Sequence, residues 1–280
     1  MNSTEFLKYT DLFDNFSDYP LYLPLNDTYE SDPSINKPFL SSLLFYYKLL
    51  RVVKFSNWET KQKLYNRYNW VASSLAILRL TESVGIKVSV KGMKNISSFE
   101  GPAVIIGNHM STLETLLLPS FIQPVKKVIY VIKKELADFP LFGPVATARY
   151  PIVVGRENPR EDLKIVMDKG SEYLQKGYCI IIFPQKTRSA IFDKSSFNSL
   201  GIKLAKKNNV PVIPLALVTD AWGNGKLIKE FGKIDTNKKV YFEFGEPLTV
   251  EGNGSEQHQK VIDFIENNFK KWGRSDLIKY

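Results

Sequence analysis

Pro102-Ala-Val-Ile-Ile-Gly-Asn-His-Met-Ser-Thr-Leu-Glu114 decides the fold class of this chain. The apolar run Pro102–Ile106, closed by Gly107, has the length and composition of a buried strand, and Ser/Thr followed three residues later by Glu marks a helix start. His109 therefore falls where a strand hands over to a helix, the place where open α/β sheets build their sites. Two residues five apart within one helix stand about 140° apart around its axis and do not meet. With His109 on the turn and Glu114 in the first helical turn, the carboxylate can reach back to the imidazole, which is half of a base–orienter pair. The same residues, Ser111 to Glu114, also form a capping box in which Glu114 bonds a helix-start amide and does no chemistry.

Outward from this stretch, short apolar runs alternate with helical segments. Strands are expected at Lys87–Val90, Ala103–Ile106, Lys127–Ile132, Pro151–Val154, Tyr178–Phe183, Pro211–Leu217 and Val240–Phe244. Helices are expected at about 112–122, 158–176, 195–208 and 256–272. Alternation of this kind predicts an α/β fold with a mostly parallel central sheet of about seven strands flanked by helices. Pro214, inside the run Pro211–Leu217, predicts an edge strand or a bulge.

Residues 38–86 read as an N-terminal helical attachment. Pro38–Lys54 is strongly apolar, with Lys48, Arg51 and Lys54 three apart, and Asn57–Arg79 mixes Trp58, Tyr65, Tyr68 and Trp70 with Lys61, Lys63 and Arg67. Aromatic and basic residues on apolar helices are the pattern of a segment lying in a membrane interface, so contact with a membrane surface is expected through residues 38–79. Residues 1–37 read as an irregular acidic arm, and 87–280 as the main domain.

At 44% hydrophobic and 24% charged residues, the 280-residue chain has an ordinary globular composition. Its single cysteine, Cys179, excludes an internal disulfide and fits a structural thiol in a reducing compartment. His109 and His258 are the only histidines, so no metal site is expected. The net charge is +9, but residues 1–37 carry seven acids against Lys8 and Lys37, a balance of −5 that leaves +14 on the remainder. A basic body calls for an anionic partner: nucleic acid, an acidic lipid surface or a phosphorylated substrate. The aromatics concentrate on apolar helices at 40–70 rather than in a basic groove, which favours lipid over nucleic acid. No secretory signal is expected from Met1-Asn-Ser-Thr-Glu5, and no run reaches the roughly 20 apolar residues of a membrane span.

Two further stretches carry chemistry-bearing residues at strand ends. Phe183-Pro-Gln-Lys-Thr-Arg-Ser189 brings Lys186, Thr187, Arg188 and Ser189 together, a set of cations and hydroxyls suited to a phosphate. Pro151-Ile-Val-Val-Gly-Arg156 ends on an arginine.

In these stretches and their order, the chain resembles the glycerolipid acyltransferases typified by 1-acylglycerol-3-phosphate acyltransferase. That family's Asn-His, four residues, Asp is similar to Asn108-His109…Glu114. Its middle element looks like Lys133-Lys-Glu-Leu136, Pro140-Leu-Phe-Gly143 and Arg149 to Arg156, and its Phe-Pro-Glu-Gly-Thr-Arg-Ser is met by Phe183–Ser189. Val210–Leu217 and Gly245-Glu-Pro-Leu248 resemble its later motifs. The likeness covers roughly residues 88–250.

The resemblance implies transfer of an acyl group from an acyl thioester, acyl-CoA or acyl-carrier protein, to the hydroxyl of lysophosphatidic acid. His109 would be the base, Glu114 its orienting acid, and Arg156, Lys186, Thr187 and Arg188 the phosphate-binding residues. Lys133 would serve the oxyanion or the donor. No cofactor beyond the thioester co-substrate, and no metal, is implied. The implied location is peripheral, at the cytoplasmic face of a membrane. Two departures from the family pattern stand out: Glu for Asp at 114, and Gln185-Lys186 for Glu-Gly. The second shifts the pocket charge by +2 and leaves the acceptor open between a phosphomonoester and another lysolipid or lipid A-type molecule. A basic lipid-binding protein without catalysis is the alternative of a different class.

Overall fold

The computed structural model describes residues 27–32, 38, 40–185, 187–225 and 231–279. Ten strands lie among them: β1 (Tyr29–Glu30), β2 (Val88–Lys91), β3 (Val104–Gly107), β4 (Val128–Lys133), β5 (Ile152–Val154), β6 (Cys179–Ile182), β7 (Phe192–Asp193), β8 (Val212–Val218), β9 (Val240–Phe244) and β10 (Ile278–Lys279). Eight of them form one sheet in the order β1-β2-β9-β8-β3-β6-β4-β5. All seven expected strands are present in it, and the eighth, β1, comes from the acidic arm, of which only 27–32 fall within the described residues.

From β8 to β5 every pairing is parallel, while β9 runs antiparallel to β8 and β1 to β2. Parallel strands of this kind are buried on both faces, which explains the unbroken apolar runs of β3, β6 and β8. It also places the C-terminal ends of β8, β3, β6, β4 and β5 along one edge of the sheet.

β8 is central, not an edge strand as Pro214 allowed. Its neighbour explains how a proline is accommodated. Leu215 pairs with Phe244 but Val212 bridges Leu248, so the partner strand has one extra residue and the ladder is interrupted opposite Pro214. The N–H that proline lacks would have pointed at this bulge, and Gly245 instead donates to the Pro214 carbonyl at 2.8 Å.

The helices that position the site are α1 (Ser41–Lys61), α2 (Arg67–Ser83), α3 (Met93–Ser97) and α4 (Leu113–Ile122), followed by two short turns, α5 (Lys134–Ala137) and α6 (Gly143–Thr147). The later helices are α7 (Pro159–Gln175), α8 (Leu200–Asn208) and α9 (Ser255–Lys271). α8 begins five residues later than expected because a 3-10 turn, Lys194–Ser196, precedes it.

The N-terminal helices depart from expectation in boundary and in burial. Nothing in the sequence stops the first helix at Lys54, and it runs on to Lys61. The chain then turns through Lys63, at φ +60°, and Asn66 starts α2 by accepting the amides of Tyr68 and Asn69. α2 is not an amphipathic surface helix. Residues around its whole circumference, from Val71 to Glu82, are buried, and Trp70 packs on Tyr130 of β4. Phe45, Leu49, Val52 and Val53 of α1 join the same core as the sheet, so no boundary near residue 86 divides the packing.

The outward side of α1 is different. Leu43, Tyr47, Arg51, Lys54, Trp58 and Lys61 recur every three or four residues and are all exposed. Within 38–79, the stretch expected to meet a membrane, this stripe is exposed together with Lys63 in the following turn and Tyr68 at the start of α2. Among the described residues, no helix is long and apolar enough to cross a membrane.

Candidate active site

β3 ends at Gly107 against β8, so closely that a Cβ there would come within 3.0 Å of the Leu215 carbonyl oxygen. Asn108, the next residue, is buried and repeats a backbone pairing with its side chain. Its Nδ2 donates to the Leu217 carbonyl at 2.9 Å and its Oδ1 accepts the Leu217 amide at 3.0 Å. The first residue of the Asn-His pair therefore sews the turn to the central strand and frees the second to face outward.

The imidazole of His109 lies flat on Phe183, with ring centroids 4.5 Å apart, and its side chain is 17% exposed. Nδ1 meets Glu114 Oε1 at 2.8 Å. Glu114 itself is wholly buried. Oε1 also accepts the amides of Met110 (2.7 Å) and Ser111 (2.9 Å). Oε2 accepts the hydroxyls of Ser111 (2.9 Å) and Thr219 (2.6 Å). Burial by itself raises the pKa of such a group, but the bond and charge of His109, with the Thr219 hydroxyl and the Ser111 amide, outweigh it and hold the carboxyl below its usual range.

The two readings of Glu114 are thus not alternatives. It satisfies amides just ahead of α4 and orients the imidazole at once. With an ionised acceptor on Nδ1, the neutral ring carries its proton there and presents a bare Nε2 to the open side.

The loop after β6 is fastened to this turn. Gln185, nearly buried, accepts the His109 amide at 2.6 Å through Oε1, and Ser189 N donates to the His109 carbonyl at 2.9 Å. Arg188 reaches the hydroxyl of Thr112, the residue that begins α4. Its guanidinium is therefore tied to the same turn that carries His109, three residues further along the chain. Thr187 lies exposed on the same loop, and Lys186 lies outside the described residues.

Arg156 follows β5 with φ +66°, in a turn that Asp162 fixes by accepting the amides of Gly155 and Arg156. Burial draws its guanidinium below the usual range, Glu135 and Asp162 pull it back, and the like charge of Arg188 adds to the depression. The two arginines thus share one field. Lys133 closes β4 at the same sheet edge, 3.8 Å from Glu135 and about a third exposed. The expected residues at 109, 114, 133, 156, 187 and 188 all sit on or beside this edge, and the tightest linkage joins His109, Glu114 and the Arg188 loop.

Sequence reasoning missed Phe183, Gln185 and Thr112 as partners within the site, and Thr219 altogether. The signal for Thr219 was a hydroxyl one residue beyond the central strand β8.

A family model described as Acyltransferase matches residues 87–218. The 1-acyl-sn-glycerol-3-phosphate acyltransferase of Pseudomonas aeruginosa is 35% identical over 148 residues, covering 53% of this chain and 55% of that protein. The chloroplastic 1-acyl-sn-glycerol-3-phosphate acyltransferase of Arabidopsis thaliana is 28% identical over 156 residues, 54% of this chain and 42% of its own length. This chain spans about half the length of these curated relatives. The fold is like that of the crystal structure of the 1-acyl-sn-glycerophosphate (LPA) acyltransferase PlsC from Thermotoga maritima. The TM-score is 0.60 at 20% identity, over 84% of this chain and 95% of the other. Residues 87–218, which hold the His109–Glu114 pair and both arginine loops, are the part of the chain that matches the Acyltransferase family model.

Proposed function

We propose that this protein moves an acyl group from an acyl thioester to the free hydroxyl of 1-acylglycerol-3-phosphate, giving phosphatidic acid. The observation that carries the reading is the 2.8 Å bond from His109 Nδ1 to the buried Glu114, which leaves Nε2 as the ring nitrogen available to substrate. The names of the relatives support the same acceptor.

In this reading the acceptor hydroxyl gives its proton to His109 Nε2 as its oxygen attacks the thioester carbonyl carbon. Glu114 stabilises the imidazolium that forms. The tetrahedral intermediate collapses with cleavage of the carbon–sulfur bond, and the imidazolium returns the proton to the departing thiolate. The acceptor itself is the nucleophile. Arg156 and Arg188, on the loops that follow β5 and β6 at one edge of the sheet, hold its phosphate and so place the hydroxyl beside the imidazole. Lys186 and Thr187 belong to the same phosphate-binding loop, and Lys133 is assigned to the oxyanion or the donor. Glu at 114 in place of Asp suits this geometry because its longer chain spans from α4 back to the turn.

Both substrates are lipidic, and the α1 stripe of Leu43, Tyr47 and Trp58 among Arg51, Lys54 and Lys61 is the surface assigned to a peripheral membrane contact. The test is thioester consumption by the purified protein with lysophosphatidic acid, offering acyl-CoA and acyl-carrier protein as donors. Wild type should turn over, and His109→Ala should lose about 1,000-fold or more. Absence of turnover with either donor, in protein that still binds liposomes, would overturn this acceptor and favour another lysolipid or a binding role.

A further inference from the structure

Thr219 lies one residue past the stretch that matches the family model, is wholly buried, and sits 105 residues along the chain from the carboxylate it touches. Its hydroxyl is 2.6 Å from Glu114 Oε2 and 3.0 Å from the Ser111 hydroxyl, which is 2.9 Å from the same oxygen. A glutamate has three side-chain torsions, one more than an aspartate, and a buried one needs partners for both oxygens if one of them is to stay on the imidazole. Backbone amides satisfy Oε1. Oε2 depends chiefly on the two hydroxyls, since its remaining contact, the Ser111 amide, is shared and longer at 3.1 Å.

Thr219 is itself held from both sides. Leu217, two residues earlier, is stitched to Asn108. Asp220, the next residue, receives both terminal nitrogens of Arg274, at 3.1 and 2.8 Å, and Lys238 Nζ at 2.7 Å. The Trp222 amide donates to the Thr219 carbonyl at 3.1 Å, and the Trp222 ring meets Phe45 of α1 edge to face at 4.9 Å. Three distant parts of the chain, α1, the 238 region and the segment after α9, thus fix the backbone that delivers one hydroxyl to Glu114.

We propose that Thr219 is a positioning residue for the His109–Glu114 pair. It occupies Oε2, so that Oε1 stays on Nδ1 and the imidazole keeps the tautomer with a bare Nε2. The Asp220–Arg274–Lys238 cluster anchors it. This rests on the acyl-transfer reading for its effect on rate, but not for its effect on the ring.

Thr219→Val keeps the side-chain shape and removes the donor, whereas Thr219→Ser keeps the donor. Two readouts separate the questions: turnover of lysophosphatidic acid and thioester, and the nitrogen-15 shifts of His109, with His258 as the internal reference. The expected result for Thr219→Val is a fall in kcat of about 10- to 100-fold with KM little changed, matching loss of one hydrogen bond to a charged group. The His109 ring should also pass from a single Nδ1–H tautomer to a mixture. Thr219→Ser should restore both. If Thr219→Val does not fold, Thr219→Cys, a weak donor of similar size, takes its place in the same two measurements. A single unchanged tautomer with kcat within about twofold of wild type would overturn the proposal. A mixed tautomer in a protein that shows no transfer even as wild type would uphold the positioning role and overturn the reaction.

Discussion

The negative and positive halves of the candidate site are held in different ways. Glu114 is 0% exposed and receives three amide or ring N–H groups and two hydroxyls, all supplied by residues at the ends of β3 and β8. Arg156 and Arg188 stand on loops, one reached by a left-handed turn and the other steadied by the Thr112 hydroxyl. The difference follows from what each half is assigned to do. A base must present one nitrogen in one tautomer before substrate arrives, and that requires a preorganised, water-excluded partner. A phosphate clamp must admit a charged group from water and release a product, and rigid burial of two like charges would carry a large desolvation cost. The paired buried carboxylate is therefore where substitution should hurt catalysis most, and the arginines are where it should hurt binding.

Glu114→Gln tests the first half. The amide can turn its nitrogen toward Ser111 and Thr219, whose hydroxyls can reverse and accept, while its oxygen keeps the amides of Met110 and Ser111. The fold should survive, but the imidazolium loses its counter-charge, and turnover should drop by roughly 100- to 10,000-fold. Unchanged turnover would leave Glu114 as a cap alone. The same pair of proteins gives a stability check with a defined sign. Because the folded-state pKa of Glu114 lies below its unfolded value of 4.5, its ionised form contributes stability that is present above about pH 4.5 and is lost as pH falls through the folded value. Denaturant melts should show a wild-type advantage over Glu114→Gln at neutral pH that shrinks in acid. A gap that grew in acid would contradict the assignment of an ionised, hydrogen-bonded carboxylate.

Arg188→Ala tests the second half. Removing one charge-assisted contact should raise the KM for a phosphorylated acceptor by about 30-fold and leave the KM for the thioester nearly unchanged. Equal effects on the two would remove Arg188 from the phosphate and place it at the donor or in the support of Thr112.

What the sequence revealed of all this follows the range of the interactions. Runs such as Val104–Ile106 and Cys179–Ile182 are strands because of local composition, and the His109–Glu114 pair is five residues apart, so both could be read along the chain. Thr219 could not, because its contact with Glu114 exists only through the pairing of β3 with β8, in which Gly107 faces Leu215. Pro214 misled for a related reason. Its missing N–H is harmless in a central strand only because the partner strand bulges opposite it, and that bulge lies some thirty residues later. Gln185 was noted as a departure in charge, but its bond to the His109 amide shows that one oxygen, present in Gln and Glu alike, is what the turn needs.

α1 and α2 give the sharpest case. Both mix aromatic and basic residues, and along the chain they look alike. Yet α2 packs a partly buried Trp70 against Tyr130, while α1 leaves Leu43 67%, Tyr47 59% and Trp58 37% exposed. Composition could not separate them, since the choice depends on which helix lies between the sheet and the other. Arg51 rests over the Tyr47 ring at 5.9 Å, and Trp58 stacks on Phe55, so these rings are held on the surface beside cations, not collapsed inward. Large apolar side chains kept in that setting fit the boundary between headgroups and acyl chains. Tyr47→Ala with Trp58→Ala should therefore weaken binding to anionic phospholipid vesicles by about tenfold, in proportion to the apolar area withdrawn. Turnover of a water-soluble short-chain acceptor should stay unchanged, because the proposed role of these rings is at the membrane surface and not in the chemistry at His109. The matching change inside α2, Trp70→Ala, should do the reverse, lowering the melting temperature through the cavity it opens while leaving vesicle affinity alone. If the α1 pair lowered stability and spared vesicle binding, the exposed stripe would belong to some other contact and the membrane would have to be met elsewhere on the basic surface.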